Sequence, residues 1–242
     1  MKILYYVYQY CIAFPILLVV TILCAVIVII ITTLFGNRSG WNWATRIWGR
    51  MICYVLLLPV KTEGTEKLRK DQCYIIVGNH QSYFDVFLLF GFLGHDFRWM
   101  MKKELAKIPL VGFACKCAGF ICINRTSSRS IAESMSKADD VLKNQKSLAM
   151  FAEGTRTYDG KVGPFKRGAF KLAEEFGLPI VPISINGSYE VMPRGRYSVR
   201  RYPMRMIVHD PILPHPNEEG DLQRLLEATR TAILSGLDDR YK

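Results

Sequence analysis

Apolar positions crowd the start of this chain and then break into short runs. No charged residue occurs between Lys2 and Arg38, and the densest part reads Cys11-Ile-Ala-Phe-Pro-Ile-Leu-Leu-Val-Val through Ile27-Val-Ile-Ile-Ile31. One straight bilayer span needs about 20 apolar residues, so this stretch exceeds a single span. Pro15 leaves open two bent half-helices embedded in one leaflet. A cleaved signal peptide would have an apolar region of only about 7–15 residues followed by a small-residue site. Leu34-Phe-Gly-Asn-Arg38 does not supply such a site. The pattern predicts a retained anchor.

A second helix is predicted over 41–60. Trp41, Trp43 and Trp48 stand beside Arg46 and Arg50 there, a mixture suited either to the headgroup level or to packing against a globular domain. Residues 1–60 form the expected membrane-anchoring part, and 61–242 the expected α/β domain. In that domain strand-like runs cover Cys73–Val77, Arg98–Met101, Gly119–Ile123, Ser147–Phe151, Ile180–Ile185 and Met204–Val208. Helical patterns alternate with them. Ser130–Lys143 opens with a Ser130-x-x-Glu133 capping box and aligns Ile131, Met135, Ala138, Val141 and Leu142. Ala169–Phe176 stops at Gly177 before Pro179, and Leu222, Leu225, Leu226, Thr229 and Ile233 stripe a last helix. The alternation predicts an α/β fold, with a mixed, largely parallel sheet flanked by helices.

Composition narrows the setting. Half of the 242 residues are hydrophobic, and the formal net charge is +11. Residues 1–60 contain no Asp or Glu, while Arg38, Arg46, Arg50 and Lys61 follow the apolar run. If that run crosses a bilayer, the positive-inside bias puts the rest of the chain in the cytoplasm. The seven cysteines are odd in number and mostly lie within apolar stretches. Cys115-Lys-Cys117 lacks zinc-knuckle spacing, so they read as reduced packing residues. No basic run with interleaved aromatic residues stands out. The charge therefore points to anionic lipid and phosphorylated substrates rather than nucleic acid.

Candidate chemistry sits at three junctions after strands, where open α/β sheets gather ligands. At Val77-Gly-Asn-His80-Gln-Ser-Tyr-Phe-Asp85, a turn would bring carboxylate to imidazole. The Asp would fix one ring nitrogen as N–H and leave the other to take a proton. Taken alone, the same segment reads more simply as a helix cap, Ser82-x-x-Asp85, with His80 an ordinary loop residue. No nucleophile elbow surrounds Ser82. At Phe151-Ala-Glu153-Gly154-Thr155-Arg156, Gly154 lets backbone N–H groups approach an anion, Thr155 adds a hydroxyl and Arg156 a bidentate fork. Gly163-Pro-Phe-Lys-Arg-Gly168 adds cations or begins a helix. The third junction is Ile121-Cys-Ile-Asn-Arg125.

Together these segments resemble the four blocks of the glycerolphosphate acyltransferase superfamily. Asn79-His80-Gln-Ser82-x-x-Asp85 looks like its His-x4-Asp block, Gly119–Arg125 its second, Phe151–Arg156 its third and Ile180-Val-Pro182-Ile its fourth. They occur in family order over about residues 73–190. Two positions depart from the pattern: Ala152 stands where Pro is usual, and Asn124 where Asp often precedes the Arg.

The resemblance implies a lysophosphatidic acid acyltransferase. His80 would be the general base and Asp85 its orienting partner. The acceptor phosphate would be held by Arg125, Glu153, Gly154, Thr155 and Arg156 with Lys103, Glu153 acting by positioning the loop or the arginines. Pro182 would shape the acyl site. Acyl-CoA or acyl carrier protein would be the co-substrate, with no covalent enzyme intermediate, no metal and no other cofactor. The setting would be the cytoplasmic face of a cell inner or cytoplasmic membrane. Other lysophospholipids, glycerol 3-phosphate or an aminolipid are alternative acceptors. A non-catalytic binder of anionic lipid is the alternative outside enzymology.

Overall fold

The computed structural model describes residues 2–36, 41–123, 128–143, 146–216 and 218–242. The apolar start forms one continuous helical rod: α1 (Lys2–Tyr8), a π-helical turn over Gln9–Ala13, and α2 (Phe14–Phe35). Pro15 follows directly on the π-helical turn, a local widening of the kind that accommodates a residue without an N–H inside a helix. The chain reverses after Phe35, and α3 (Asn42–Val55) returns along α2. Trp48 Nε1 donates to Thr21 Oγ1 at 3.0 Å, and Tyr8 Oη donates to the Val55 carbonyl at 2.7 Å.

Most of the rod's side chains have no protein neighbour to bury them. Ile16, Leu18, Val19, Leu23, Ile30 and Leu34 are exposed, whereas Ala25, Val28 and Thr32 are the buried positions of α2. By length and composition Ile3–Phe35 can cross a membrane. Of the tryptophans expected at headgroup level, Trp43 alone is exposed. Trp41 is fully buried under the Arg98 guanidinium, and Trp48 packs edge-on to Phe87. Burial also pulls Arg98 down to about 10.

Seven strands form one sheet: β1 (Val60–Glu63), β2 (Ile75–Gly78), β3 (Phe97–Lys102), β4 (Ile121–Ile123), β5 (Ser147–Phe151), β6 (Ile180–Asn186) and β7 (Met204–Val208). Their order is β1-β7-β6-β2-β5-β3-β4, parallel throughout except between β6 and β7. β2 is thus the middle strand. The remaining helices are α4 (Phe84–Phe92), α5 (Val111–Cys117), α6 (Ser128–Lys143), α7 (Gly168–Phe176), α8 (Ser188–Val191) and α9 (Asp221–Ser235).

Both faces of the sheet are covered, which explains why the central strands β2, β5 and β6 are buried at nearly every position rather than alternating. Ile76, Ala149 and Val181 join a core with α3 and α4, while Ile75, Val77, Leu148 and Met150 join a second core that includes α7 and α9. The first core also holds Ala13, Ile52, Cys53 and Leu56, so the N-terminal helices share a core with the sheet.

α3 and α4 cross backbone to backbone. A Cβ on Gly49 would lie 2.6 Å from the Gly91 nitrogen, so neither position has room for a side chain. Arg50 Nε donates to the Gly91 carbonyl at 2.7 Å across the same crossing.

Two elements differ from their sequence expectation in instructive ways. α6 begins at Ser128, ahead of the expected Ser130 cap, and the Ser130 and Glu133 side chains lie outside the described residues. Its Ala138 and Leu142 are buried as the stripe requires. α7 ends as expected at Gly177, in the left-handed region at φ 60°.

Candidate active site

The middle strand β2 delivers His80 to the carboxyl edge of the sheet, where parallel α/β sheets hold ligands. Asn79 fixes the exit. Its side-chain amide donates to the Ile185 carbonyl at 2.9 Å, and its oxygen accepts the Ile185 N–H at 2.8 Å. The side chain thereby extends the β2–β6 ladder while the backbone turns away.

Asp85 opens α4, and its carboxylate reaches back over that turn. Oδ2 lies 2.8 Å from His80 Nδ1 and accepts the backbone N–H groups of Gln81 at 2.7 Å and Ser82 at 2.8 Å. Asp85 is fully buried; the His80 side chain is 15% exposed. Both sequence readings of this segment therefore contain part of the answer. The carboxylate does cap a turn, and the same oxygen orients the imidazole. Ser82 is not the capping side chain, since its Oγ donates to the Met192 carbonyl at 2.8 Å in full burial.

The imidazole plane is fixed by stacking. Its ring lies 3.8 Å from the Phe151 ring at 7°, and Phe151 meets Trp99 edge-on at 5.1 Å. With Nδ1 engaged by Asp85, Nε2 is the nitrogen left to exchange a proton with a substrate.

Glu153 ties three loops together. Oε1 accepts the His80 N–H at 2.8 Å, and Oε2 accepts the Gly163 N–H at 2.9 Å. Burial raises its carboxyl above the ordinary range, against the two N–H groups that favour the anion. Both oxygens are turned onto backbone donors, which suits the loop-positioning part expected of Glu153 rather than a contact with phosphate. Gly154 takes φ 72°, the left-handed region where a side chain is strained.

Beyond it, Thr157 N–H donates to the His80 carbonyl at 2.9 Å, which places the Arg156 backbone beside the His80 loop. The Arg156 guanidinium lies 3.7 Å from the centre of the Tyr83 ring. Thr155 Oγ1 accepts from Arg194 Nη1 at 3.0 Å, and that nitrogen also donates to the Arg156 carbonyl at 2.9 Å.

The other expected contacts lie farther along the sheet. Lys103 is exposed just after β3, two strands from β2, or about 10 Å at the usual spacing. Arg125 follows β4 and lies outside the described residues.

Arg194 and the loop around it were missed in the sequence. Pro193-Arg-Gly-Arg-Tyr-Ser-Val-Arg-Arg-Tyr202 is a basic run interleaved with aromatics, broken by Gly195, Ser198 and Val199. It corrects the reading that no such run exists.

A cavity of about 520 Å³ opens next to this constellation. α2 contributes Leu17 and Val28, α4 contributes Phe87 and Phe90, and α5 contributes Ala114 and Cys115. Tyr83 and Trp99 line it as well, so its rim reaches both the ring under Arg156 and the ring stack behind His80. The lining is almost wholly apolar and has the character of a chain-binding chamber. Such a site can hold an apolar tail, an anionic head and a hydroxyl at one place.

Known proteins carry related sequences. A family model described as acyltransferase matches residues 59–186. The chain is 32% identical over 178 residues to a chloroplastic 1-acyl-sn-glycerol-3-phosphate acyltransferase of Brassica napus, covering 73% of this chain and 51% of the relative. It is 33% identical over 186 residues to the 1-acyl-sn-glycerol-3-phosphate acyltransferase of Saccharomyces cerevisiae, covering 72% and 61%. The chain spans about half the length of the first of these relatives. The crystal structure of the 1-acyl-sn-glycerophosphate acyltransferase PlsC from Thermotoga maritima matches it with a TM-score of 0.79 and 28% identity, over 96% of this chain and 95% of that one.

Proposed function

The chain belongs to the acyltransferase family, and we propose that it transfers a fatty acyl group from a thioester to the sn-2 hydroxyl of 1-acylglycerol 3-phosphate, giving phosphatidic acid. The observation that carries this reading is the juxtaposition at one sheet edge of the Asp85-backed imidazole, the Arg156 cation and an apolar chamber. The names of the relatives support the same acceptor.

His80 Nε2 takes the proton of the acceptor hydroxyl as its oxygen attacks the thioester carbonyl. The tetrahedral adduct collapses, the C–S bond breaks, and the imidazolium returns the proton to the departing thiolate. General-base help of this kind contributes about 10²–10⁴ in rate. Asp85 holds the tautomer and steadies the imidazolium. Arg156, with Thr155 and the Gly154 turn, faces the acceptor phosphate, and Lys103 and Arg125 supply further positive charge. Acyl-CoA or acyl carrier protein is the donor.

The exposed apolar rod keeps the site at a leaflet where both lipid acceptor and product reside. We place the protein in a cytoplasmic or inner membrane, with the sheet on the cytoplasmic side. The decisive experiment supplies the protein in phosphatidylcholine vesicles with radiolabelled acyl-CoA and a panel of lysolipids. Phosphatidic acid should dominate the products; equal rates on acceptors without a phosphate monoester would refute the assignment.

A further inference from the structure

A thioester carries its acyl chain and its carrier on opposite sides of one carbonyl carbon. With the chain in the 520 Å³ chamber and the carbonyl at His80, the carrier must leave across the chamber rim. Met192, Tyr197 and Val199 line the chamber and belong to the segment that links α8 to β7.

The segment is strongly cationic. It holds Arg194, Arg196, Arg200 and Arg201, and no Asp or Glu occurs from Val191 to His209. Like charges so close repel one another, and such a loop favours any anion brought to it. Two of the arginines are committed. Arg194 bonds Thr155 and the Arg156 carbonyl and lies 3.9 Å over the Tyr158 ring, while Arg201 Nε donates to the Leu57 carbonyl at 3.0 Å. Arg196 and Arg200 are exposed, and no carboxylate engages either among the described residues. Beside them Tyr197, which lines the chamber, is 87% exposed, and Tyr158, the ring under Arg194, is 74% exposed.

We propose that this loop, Pro193–Tyr202 with Tyr158, binds the phosphorylated nucleotide of a coenzyme A thioester. Arg196 and Arg200 engage its phosphates, and Tyr197 offers a stacking face to the adenine. The proposal rests on the thioester reading of the site given above. Forked guanidinium groups suit phosphate oxygens, and exposed tyrosines suit a purine. An acidic carrier protein would instead call for a broad basic face, on the order of 800 Å² per partner, whereas the charge here is gathered into one short loop.

The test uses the full-length protein in zwitterionic phosphatidylcholine vesicles, comparing it with the Arg196→Ala/Arg200→Ala double variant. Adenosine 3′,5′-bisphosphate is titrated by equilibrium dialysis, which needs no turnover and so stands or falls apart from the acyl-transfer reading. It should bind saturably and lose about tenfold or more in affinity in the variant. In steady-state assays KM for palmitoyl-CoA should rise by a similar factor, with a much smaller change for palmitoyl-pantetheine, which lacks the nucleotide. Any of four outcomes would overturn the proposal. The bisphosphate fails to bind the unsubstituted protein; both thioesters lose equally, which marks a structural loop; the loss is confined to palmitoyl-acyl carrier protein; or it occurs only in vesicles containing anionic lipid, which marks a headgroup contact.

Discussion

His80 Nδ1 and Asp85 Oδ2 are 2.8 Å apart, and that same carboxylate oxygen holds the two backbone N–H groups between them. One atom therefore sets both the tautomer of the imidazole and the shape of the turn that presents it. Asp85→Asn should lower kcat by about 10²-fold or more, within the range general-base catalysis supplies. KM for the lysolipid should stay within a few-fold. His80→Ala should abolish transfer while vesicle binding persists. Normal turnover in either variant, measured with radiolabelled acyl-CoA, would remove the imidazole from the mechanism.

Glu153 makes a different prediction because both its oxygens accept from backbone. Glu153→Gln turns one acceptor into a donor facing an N–H. An unpaired buried polar group costs about 1–3 kcal/mol. The melting temperature in detergent should fall, and kcat with it, while KM for the acceptor changes little. A variant affected in acceptor KM alone would return Glu153 to the phosphate.

The Arg156 guanidinium lies over Tyr83, 3.7 Å from the ring centre. Arg156→Ala should raise KM for lysophosphatidic acid about tenfold or more, from loss of a charge-assisted contact. Tyr83→Leu, which removes the ring beneath it, should give a smaller rise in the same constant. An effect limited to the thioester KM would reassign the residue.

Much of this arrangement could be read before the fold was known, and what could not has a physical cause. β5 matches its expected span, Ser147–Phe151, because a bounded apolar run marks a strand covered on both faces, and β7 matches Met204–Val208 through its alternation, with Met204, Met206 and Val208 buried. α4, Phe84-Asp-Val-Phe-Leu-Leu-Phe-Gly-Phe92, escaped because it is packed between α3 and the sheet and shows no polar face to set a helical period. β1 escaped as a four-residue edge strand with charges at Lys61 and Glu63. The His80–Asp85 pair is local, five residues apart, and so was visible. Arg194 meets Thr155 across 39 residues, and nothing in its own neighbourhood announces that contact. The chamber likewise draws its wall from α2, α3, α4 and α5, and only the fold assembles it.

The chamber predicts a change in product. Ala114 is buried and lines it from α5. Ala114→Phe should fill part of the 520 Å³ and shift incorporation toward shorter acyl chains. Mass spectrometry of the phosphatidic acid formed from mixed acyl-CoA would show it. An unchanged chain distribution with normal folding would place the chain elsewhere.

Two histidines outside the site predict a pH dependence of stability. His95 bonds Ser147 Oγ and His209 bonds Ser184 Oγ, each at 2.8 Å, and burial lowers both imidazoles below the usual 6.5. The unfolded chain therefore takes up these protons first. Their contribution to stability is present above about pH 6.5 and is lost as pH falls through the lowered values. Melting curves in detergent should show that decline, and His209→Gln should reduce its slope. A variant with the parent slope would count against the assignment.

α2 faces outward with bare aliphatic side chains and inward with Leu17, Ala25 and Val28 on the chamber. The rod proposed to hold the protein at a leaflet is thus also part of the chamber wall. Cutting away the first 35 residues to obtain a soluble enzyme would leave the His80–Asp85 pair intact but open one side of the tail compartment to water. Such a fragment should keep its fold signature and still fail with long-chain donors. Solubility and chain binding cannot be engineered apart in this architecture.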